Sequence, residues 1–242
     1  MSTETRRPTR REERRTQTVQ EIRALALDQV SAGGPEAVSL SGIVRAMSMS
    51  PAAIYRYVES RDALLADLVV DAYDDFADAL AAAAPAGAAP TARLVAVLGA
   101  ARTWALAHPN RYRLVFQTAS GSGRDLAPER TVSAASRSMA VLVDALEAAH
   151  AAGGGTDAAD RDAGTAALDA EVAAWGRRAG LDGHPPRVLR LALTAWTRLH
   201  GVISLELGGH LGAVGVDPGA LYAAEVAVLG AAVGPGGGPG AQ

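Results

Sequence analysis

The sequence predicts an all-α protein in which a small N-terminal helix-turn-helix domain precedes a larger helical bundle. Apolar side chains recur at helical spacing along most of the chain. Strand signals are nearly absent, because β-branched residues rarely alternate with polar ones. Clusters of proline and glycine, such as residues 85–90 (PAGAAP), separate the periodic segments. Together these features favour helices joined by short breaks.

These breaks predict four segments. Residues 1–15 form a flexible basic arm, and residues 16–76 form the helix-turn-helix domain. Residues 77–233 form the helical bundle, and the glycine- and proline-rich residues 234–242 form a disordered tail.

Residues 39–61 (SLSGIVRAMSMSPAAIYRYVESR) predict two short helices and the start of a third. Ser39 is positioned to cap the first helix. Ser50 and Pro51 restart the chain after a break, and the second helix is predicted over Pro51–Val58. Ser60 is positioned to cap the third. This arrangement is typical of a helix-turn-helix, whose second helix enters the DNA major groove.

The side chains of the second helix suit DNA. Ala52 and Ala53 are small enough for close approach to the groove floor. The longer polar side chains that could reach phosphates are Tyr55, Tyr57 and Arg61, and the hydroxyls at helix N-termini are Ser39 and Ser50. An ordinary three-helix cluster with exposed tyrosines is the alternative.

Charge is unevenly distributed along the chain. Residues 1–61 contain ten arginines and seven acidic residues, although the whole chain has a net charge of −3. Six of those arginines, including Arg10, lie in the first fifteen residues, where they could contact phosphates. A solubilising tail is the alternative. Glu12 and Glu13 argue against a targeting segment.

Residues 18–70 resemble the DNA-binding domain of TetR-type transcriptional regulators, most specifically in 50–58 (SPAAIYRYV) and 60–65 (SRDALL). The resemblance implies that Tyr55, Tyr57 and Arg61 hold phosphates. It also implies that Ala52, Ala53 and Arg56 lie where base edges are read. The sequence departs from the family pattern at three positions, which are Ser48 for a turn glycine, Val44 for alanine and Val58 for phenylalanine.

Composition narrows the class of protein. The 242 residues contain no cysteine, so disulfides and thiolate metal sites are excluded. The longest apolar runs fall short of the roughly 18 residues that a membrane span needs. We therefore expect a cytoplasmic protein with no membrane partner and no cofactor.

Two apolar helices near the end of the chain predict a dimer interface. One contains Trp196 and is expected over Pro186–Gly212, and the other is expected over Pro218–Val233. A homodimer would present two recognition helices to a palindromic operator. The family resemblance also implies pairing through the last two helices.

Residues 104–116 and 196–211 resemble the effector domain of a TetR-type subgroup named for a Trp-His-Gly pattern. By analogy the bundle should hold a small hydrophobic ligand in a cavity between helices. The candidate lining residues are Trp104, Tyr112, Phe116, Met139, Trp175, Trp196 and His200. Each could instead be an ordinary core residue.

Catalysis and metal binding are not expected. His200, Glu206 and His210 invite a metal interpretation, but only the last two share a helix face. The sequence therefore favours a ligand-responsive repressor that binds double-stranded DNA. The alternatives are an all-α enzyme or metal carrier with a helix-turn-helix appendage, and a helical adaptor that does not bind DNA.

Overall fold

A computed structural model describes residues 9–83, 86–116, 128–153 and 166–233. These ranges contain no strand, and their helices are predominantly α-helices. Residues 1–8 of the predicted arm, residues 117–127 and the predicted tail 234–242 lie outside the described residues. The α-helices are α1 (Arg10–Gly33), α2 (Leu40–Ala46), α3 (Pro51–Ile54), α4 (Arg61–Ala82), α5 (Pro90–Ala107), α6 (Pro109–Phe116), α7 (Pro128–Ala152), α8 (Ala166–Ala179), α9 (Pro186–Leu207), α10 (His210–Ala213) and α11 (Pro218–Val233). The all-α prediction is confirmed.

The chain divides into two compact units. The first comprises Met1–Ala72 and Asn110–Thr131, and the second comprises Tyr73–Pro109 and Val132–Gln242. The first unit thus contains α1 to α3, the N-terminal part of α4 and nearly all of α6. The second contains the longer helices of the C-terminal half. The sequence-based boundary at residue 76 stays a prediction.

Helix α1 begins earlier than the predicted arm allows. Residues 10–15 form its first turns, because a capping box closes its N-terminus. The Glu12 backbone N–H donates to the Thr9 hydroxyl, and the Glu12 carboxylate accepts from the Thr9 backbone N–H at 2.6 Å. Such a box satisfies amides that a helix end otherwise leaves unbonded. The segment described as flexible is therefore helical from Arg10 onward.

The turn between α2 and α3 has the features that the sequence predicts. The Ser39 hydroxyl accepts from the Gly42 backbone N–H and caps α2. Ser48 is the non-glycine residue with positive φ in the described part of the chain, at 51°. It occupies the turn position where the resemblance implies glycine, so the expected left-handed backbone is present.

Helix α3 is shorter than predicted. The α-helical backbone ends at Ile54, and residues 55–57 continue as turns. The Arg56 and Tyr57 backbone N–H groups donate to carbonyls three residues earlier, which tightens the last turn. The Ser50 hydroxyl makes no capping hydrogen bond, although Ser50 occupies the N-cap position.

The first unit is held by an apolar core and by an arginine. Fully buried side chains from each of its first four helices fill this core, namely Ile22, Ile43, Ile54, Leu64 and Leu68. Arg23 on α1 donates to both Asp67 and Asp71 on α4, at 3.1 and 2.8 Å. These bonds fix α4 against α1 within this unit.

In the second unit α9 packs against α5, α8, α10 and α11. Arg102 on α5 forms a bidentate ion pair with Glu206 on α9, at 2.8 and 2.6 Å. The Tyr222 hydroxyl on α11 donates to the Leu98 carbonyl at 2.6 Å. Three helices are thereby joined at one end of α9, and Glu206 is a structural ion-pair partner.

Helix α9 ends before the predicted Gly212. It stops at Leu207, and Leu211 lies on the separate short helix α10. The cause is the Gly208-Gly209 pair, since Gly209 adopts a left-handed backbone with φ of 75°. A Cβ at Gly208 would also lie 2.8 Å from the His210 ring.

Candidate functional site

The second helix of the helix-turn-helix presents most of its predicted DNA-contacting residues to solvent. Tyr55 is 63% exposed, and Ala52 and Arg56 are also exposed. Ala53 is half-buried. The opposite face is anchored, because Ile54 is fully buried. This recognition element, which consists of α3 and the turn at residues 55–57, is thus anchored to the core on one face and exposed to solvent on the other.

The two serines differ in their surroundings. The Ser39 hydroxyl, besides capping α2, forms a hydrogen bond of 2.8 Å with the Ser41 hydroxyl. The Ser39 backbone N–H donates to the Gln29 side chain at 2.7 Å, which ties the start of α2 to α1. Ser50 is exposed. Both serines remain beside the recognition element.

Arg61 does not face solvent as a phosphate ligand would. Its guanidinium donates to the Val38 carbonyl at 2.9 Å and to the Pro35 carbonyl at 2.6 Å. Weaker ion pairs at 3.3 Å join it to Glu36 and Asp62. Arg61 therefore holds the segment before α2 against the start of α4, a role that sequence reasoning missed.

Tyr57 contacts the first helix. The Arg15 guanidinium lies over the Tyr57 ring, 5.5 Å from its centroid. An open cleft runs alongside and is lined by both elements, specifically by Thr9, Arg10, Arg11, Glu12, Arg14, Arg15, Gln17, Thr18, Arg56 and Tyr57. No motif in the sequence links Arg11, Arg14 and Arg15 with the recognition element. The available signal was their spacing, since residues four apart share a helix face.

The second unit contains a small apolar cavity of about 20 Å³. Two of the seven predicted lining residues, Trp196 and His200, line this cavity. The other lining residues come from α4, α5, α7 and α9, namely Phe76, Leu80, Val97, Leu98, Ala101, Leu142, Leu199 and Ile203. Pockets for small molecules measure roughly 300–1,000 Å³, so this conformation is closed.

Burial shapes the chemistry of this cavity. It lowers the pKa of His200 to about 4, so the imidazole is neutral near pH 7. The His200 ring lies 4.0 Å from the Trp196 ring, between centroids. The walls therefore offer aromatic and aliphatic surface with no formal charge.

The remaining candidate cavity residues lie elsewhere. Trp104 is buried and its indole N–H donates to Asp75 at 2.9 Å, while Met139 is buried and Trp175 is half-buried. Tyr112 and Phe116 belong to the first unit, where their rings are 5.0 Å apart. None of these five lines the described cavity.

Comparison with known proteins agrees with this architecture. Residues 22–68 match the profile of bacterial regulatory proteins of the tetR family. Residues 94–229 match a tetracyclin repressor-like C-terminal domain. The HTH-type transcriptional regulator Rv1816 of Mycobacterium tuberculosis (strain ATCC 25618 / H37Rv) is 32% identical over 223 residues, covering 91% of this chain and 94% of that regulator.

Solved structures show the same fold. The protein SCO4313, described as regulatory, matches with a TM-score of 0.75 and 39% identity over 91% of this chain and 98% of its own. A regulatory protein in the tetR family from Rhodococcus RHA1 matches with a TM-score of 0.59 over 90% of this chain and 97% of its own. At 21% identity it shares the fold alone.

The anchored helix-turn-helix and the helical second unit define a DNA-binding transcriptional regulator. The chain belongs to the tetR family of bacterial regulatory proteins. Within the described residues no helix is long and apolar enough to cross a lipid bilayer.

Proposed function

We propose that this regulator is a homodimeric repressor that occupies a palindromic operator and releases it when a small hydrophobic ligand binds. The observation that carries the proposal is the exposed outer face of α3 and the turn after it, backed by the buried Ile54. A helix held in this way can enter a major groove without rearranging the core behind it.

The side chains on this surface divide by reach. Ala52, Ala53 and Arg56 are assigned to base edges, because two are small and an arginine can bond guanine through two donors. Tyr55 and Tyr57 are assigned to phosphates, which fix register without reading sequence. The serines at the two helix starts, Ser39 and Ser50, are assigned to the same backbone. Arg61 is assigned a positioning role, because its donors face backbone carbonyls of the fold.

A mostly uncharged outer face on the last two helices, on which Arg198 is the exposed charged residue, supports the homodimer. On α11 the exposed residues beyond its first turn are alanines and Val228, which is 53% exposed. On α9 a line of exposed residues four apart runs through Thr197, Gly201 and Leu205. Exposed apolar helix faces of this kind mark contact sites between proteins. A second copy would cover both and place two recognition elements on one duplex.

The closed cavity supports ligand control. A ligand that enters must separate α9 from the helices opposite it, because about 20 Å³ admits roughly one water molecule. A neutral His200 and apolar walls favour an uncharged hydrophobic ligand. Such a ligand can change DNA affinity only if it binds the opened form more tightly than the closed form.

Footprinting on the DNA upstream of the chain's own coding sequence tests the proposal. We expect a protected site with two-fold symmetry. Tyr55→Ala removes one hydrogen bond to a charged group from each protomer, so binding of the dimer to that site should weaken on the order of 100-fold, without a change in the oligomeric state. Leu168→Ala, an exposed change in the second unit, serves as the control. Unchanged affinity in Tyr55→Ala would contradict the assigned geometry.

A further inference from the structure

The first two turns of α1 form a capped helical extension. They precede residue 22, where the match to the tetR-family profile begins. The Thr9–Glu12 capping box closes their N-terminus. Arg10 and Arg14 are four residues apart, as are Arg11 and Arg15, so four guanidinium groups follow one side of the helix.

The extension faces the recognition element across the cleft already described. The Arg15–Tyr57 contact of 5.5 Å brings the two elements together at one wall. Arg56 from the turn after α3 lines the same space. The cleft is open to solvent and measures about 1080 Å³, which exceeds the size of a typical small-molecule pocket. A polymer strand that enters from solvent fits such a shape better than an enclosed ligand does.

Among the described residues, the arginines of the cleft have no acidic partner. Its lining contains five arginines and one glutamate. Glu12 is already engaged in the cap, and its hydrogen bonds from Thr9 hold its pKa below the usual range. Across the part of the chain that the structure describes, no ion pair engages Arg10, Arg11, Arg14 or Arg56.

Other arginines of the same unit behave differently. Arg23 is bonded to Asp67 and Asp71, and Arg61 is bonded to backbone carbonyls and two acids. Arginines gathered without acidic partners repel one another, and a polyanion relieves that repulsion. Their guanidinium groups also match phosphate geometry through paired donors.

We propose that this cleft holds the sugar–phosphate backbone of the same duplex that the recognition element reads. The extension of α1 and the turn after α3 then grip one strand from two sides. This inference rests on the proposed function, because it takes a DNA-bound recognition element as given. It replaces a flexible arm with a preordered site, which loses less conformational entropy on binding.

The salt dependence of DNA binding tests the number of phosphate contacts. The probe is a duplex covering the region upstream of the chain's own coding sequence. Each phosphate contact contributes about 0.9 to the slope of log affinity against log salt. Because a bound dimer loses two contacts from each protomer, R11Q/R14Q should reduce the slope by about 3.6 and weaken binding on the order of 100- to 1,000-fold near 0.15 M salt. R177Q/R178Q removes the same charge from exposed positions on α8 and should leave the slope unchanged.

A second variant tests the preordering without changing charge. Thr9→Ala removes the cap from both protomers of the dimer and should weaken binding roughly 25-fold through fraying of the extension, since one lost N-cap costs about fivefold. Hydrogen exchange should show that this variant loses helical protection only in residues 9–17. If Thr9→Ala binds DNA as tightly as the wild type, the helical order of the extension does not contribute to binding, and the proposal of a preordered cleft is overturned.

The outcomes separate this inference from the proposed function. If R11Q/R14Q keeps the wild-type slope and affinity while Tyr55→Ala weakens binding, the cleft assignment is overturned and the regulator assignment stands. If the wild-type chain protects no site in the upstream duplex, the operator proposal fails and the cleft assignment fails with it.

Discussion

Replacing Arg61 should loosen the helix-turn-helix itself. The family resemblance places this residue on a phosphate, whereas its guanidinium donates to the Pro35 and Val38 carbonyls at 2.6 and 2.9 Å. Arg61→Met keeps the length and packing of the stem while it removes the donors. The carbonyl of Val38, a residue that is 3% exposed, would then lose its partner.

The size of the effect follows from these bonds. A hydrogen bond to a charged group contributes about 1.5–3 kcal/mol, and a buried acceptor left unpaired adds a desolvation cost. The Arg61 side chain is 29% exposed, so the low end applies. The ion pairs with Glu36 and Asp62 add little, because both acids are well exposed. We expect a loss of roughly 2–3 kcal/mol in the first unit.

Hydrogen exchange measures this loss locally, which matters because two units need not unfold in one step. The amides of Ile43, Met47 and Val58 donate within or beside α2 and α3. Their protection should fall about 30- to 150-fold, since 1.4 kcal/mol corresponds to a factor of ten. Arg45→Met removes an exposed charge from α2 and should cost less than about 1 kcal/mol. Unchanged protection in Arg61→Met, with a salt slope of DNA binding lowered by about 1.8 (about 0.9 for each protomer of the dimer), would refute the reasoning and restore the phosphate contact.

Three further changes test other parts of the molecule. Val228→Arg should yield monomers by analytical ultracentrifugation. Val132→Arg should stay dimeric, although Val132 is as exposed (54%) as Val228 (53%). If both variants are dimers, α11 is not the interface. His200 has a folded pKa of about 4, below its unfolded value of 6.5, so the unfolded chain binds more protons and stability falls as the pH drops from 6.5 to 4. His200→Phe should remove up to about 3 kcal/mol of that loss, seen as a flatter melting temperature against pH; an unchanged profile would show that burial of His200 does not set it. Ser48→Gly should stabilise the first unit by about 0.5 kcal/mol, because relief of the left-handed cost of 1–2 kcal/mol exceeds the added chain entropy. Ser31→Gly, on the exposed face of α1, should instead destabilise it, and a loss at both positions would contradict this.

Local features were predictable from the sequence because their causes lie within a few residues. The cap at Ser39, the proline start of α3 and the left-handed backbone at Ser48 each depend on neighbours in the chain. The break in α9 had a local signal as well, in Gly208-Gly209, but apolar spacing through Leu211 outweighed it. The capping box at Thr9 was equally readable, and the density of charge around it favoured a flexible interpretation instead.

Features that depend on distant partners were not predictable in the same way. Arg61 donates to backbone carbonyls 23 and 26 residues earlier in the chain. No sequence spacing predicts which backbone carbonyl a distant arginine will contact. The cavity takes Phe76 and Leu80 from α4, whereas all seven candidates chosen from the sequence lie between residues 104 and 200. Which aromatic lines a void is decided by how four helices pack.

The arginines show this most clearly, because all 23 basic residues of the chain are arginine. Composition cannot distinguish a cation that holds the fold from one that meets DNA, but partners can. Arg23 and Arg102 bridge helices through acids within their own units. Within the part of the chain that the structure describes, the arginines of the cleft at the start of α1 pair with no acid, and exposed charges are those that salt screens most. Raising the salt concentration should therefore release DNA well before it weakens the bridges that hold each unit together.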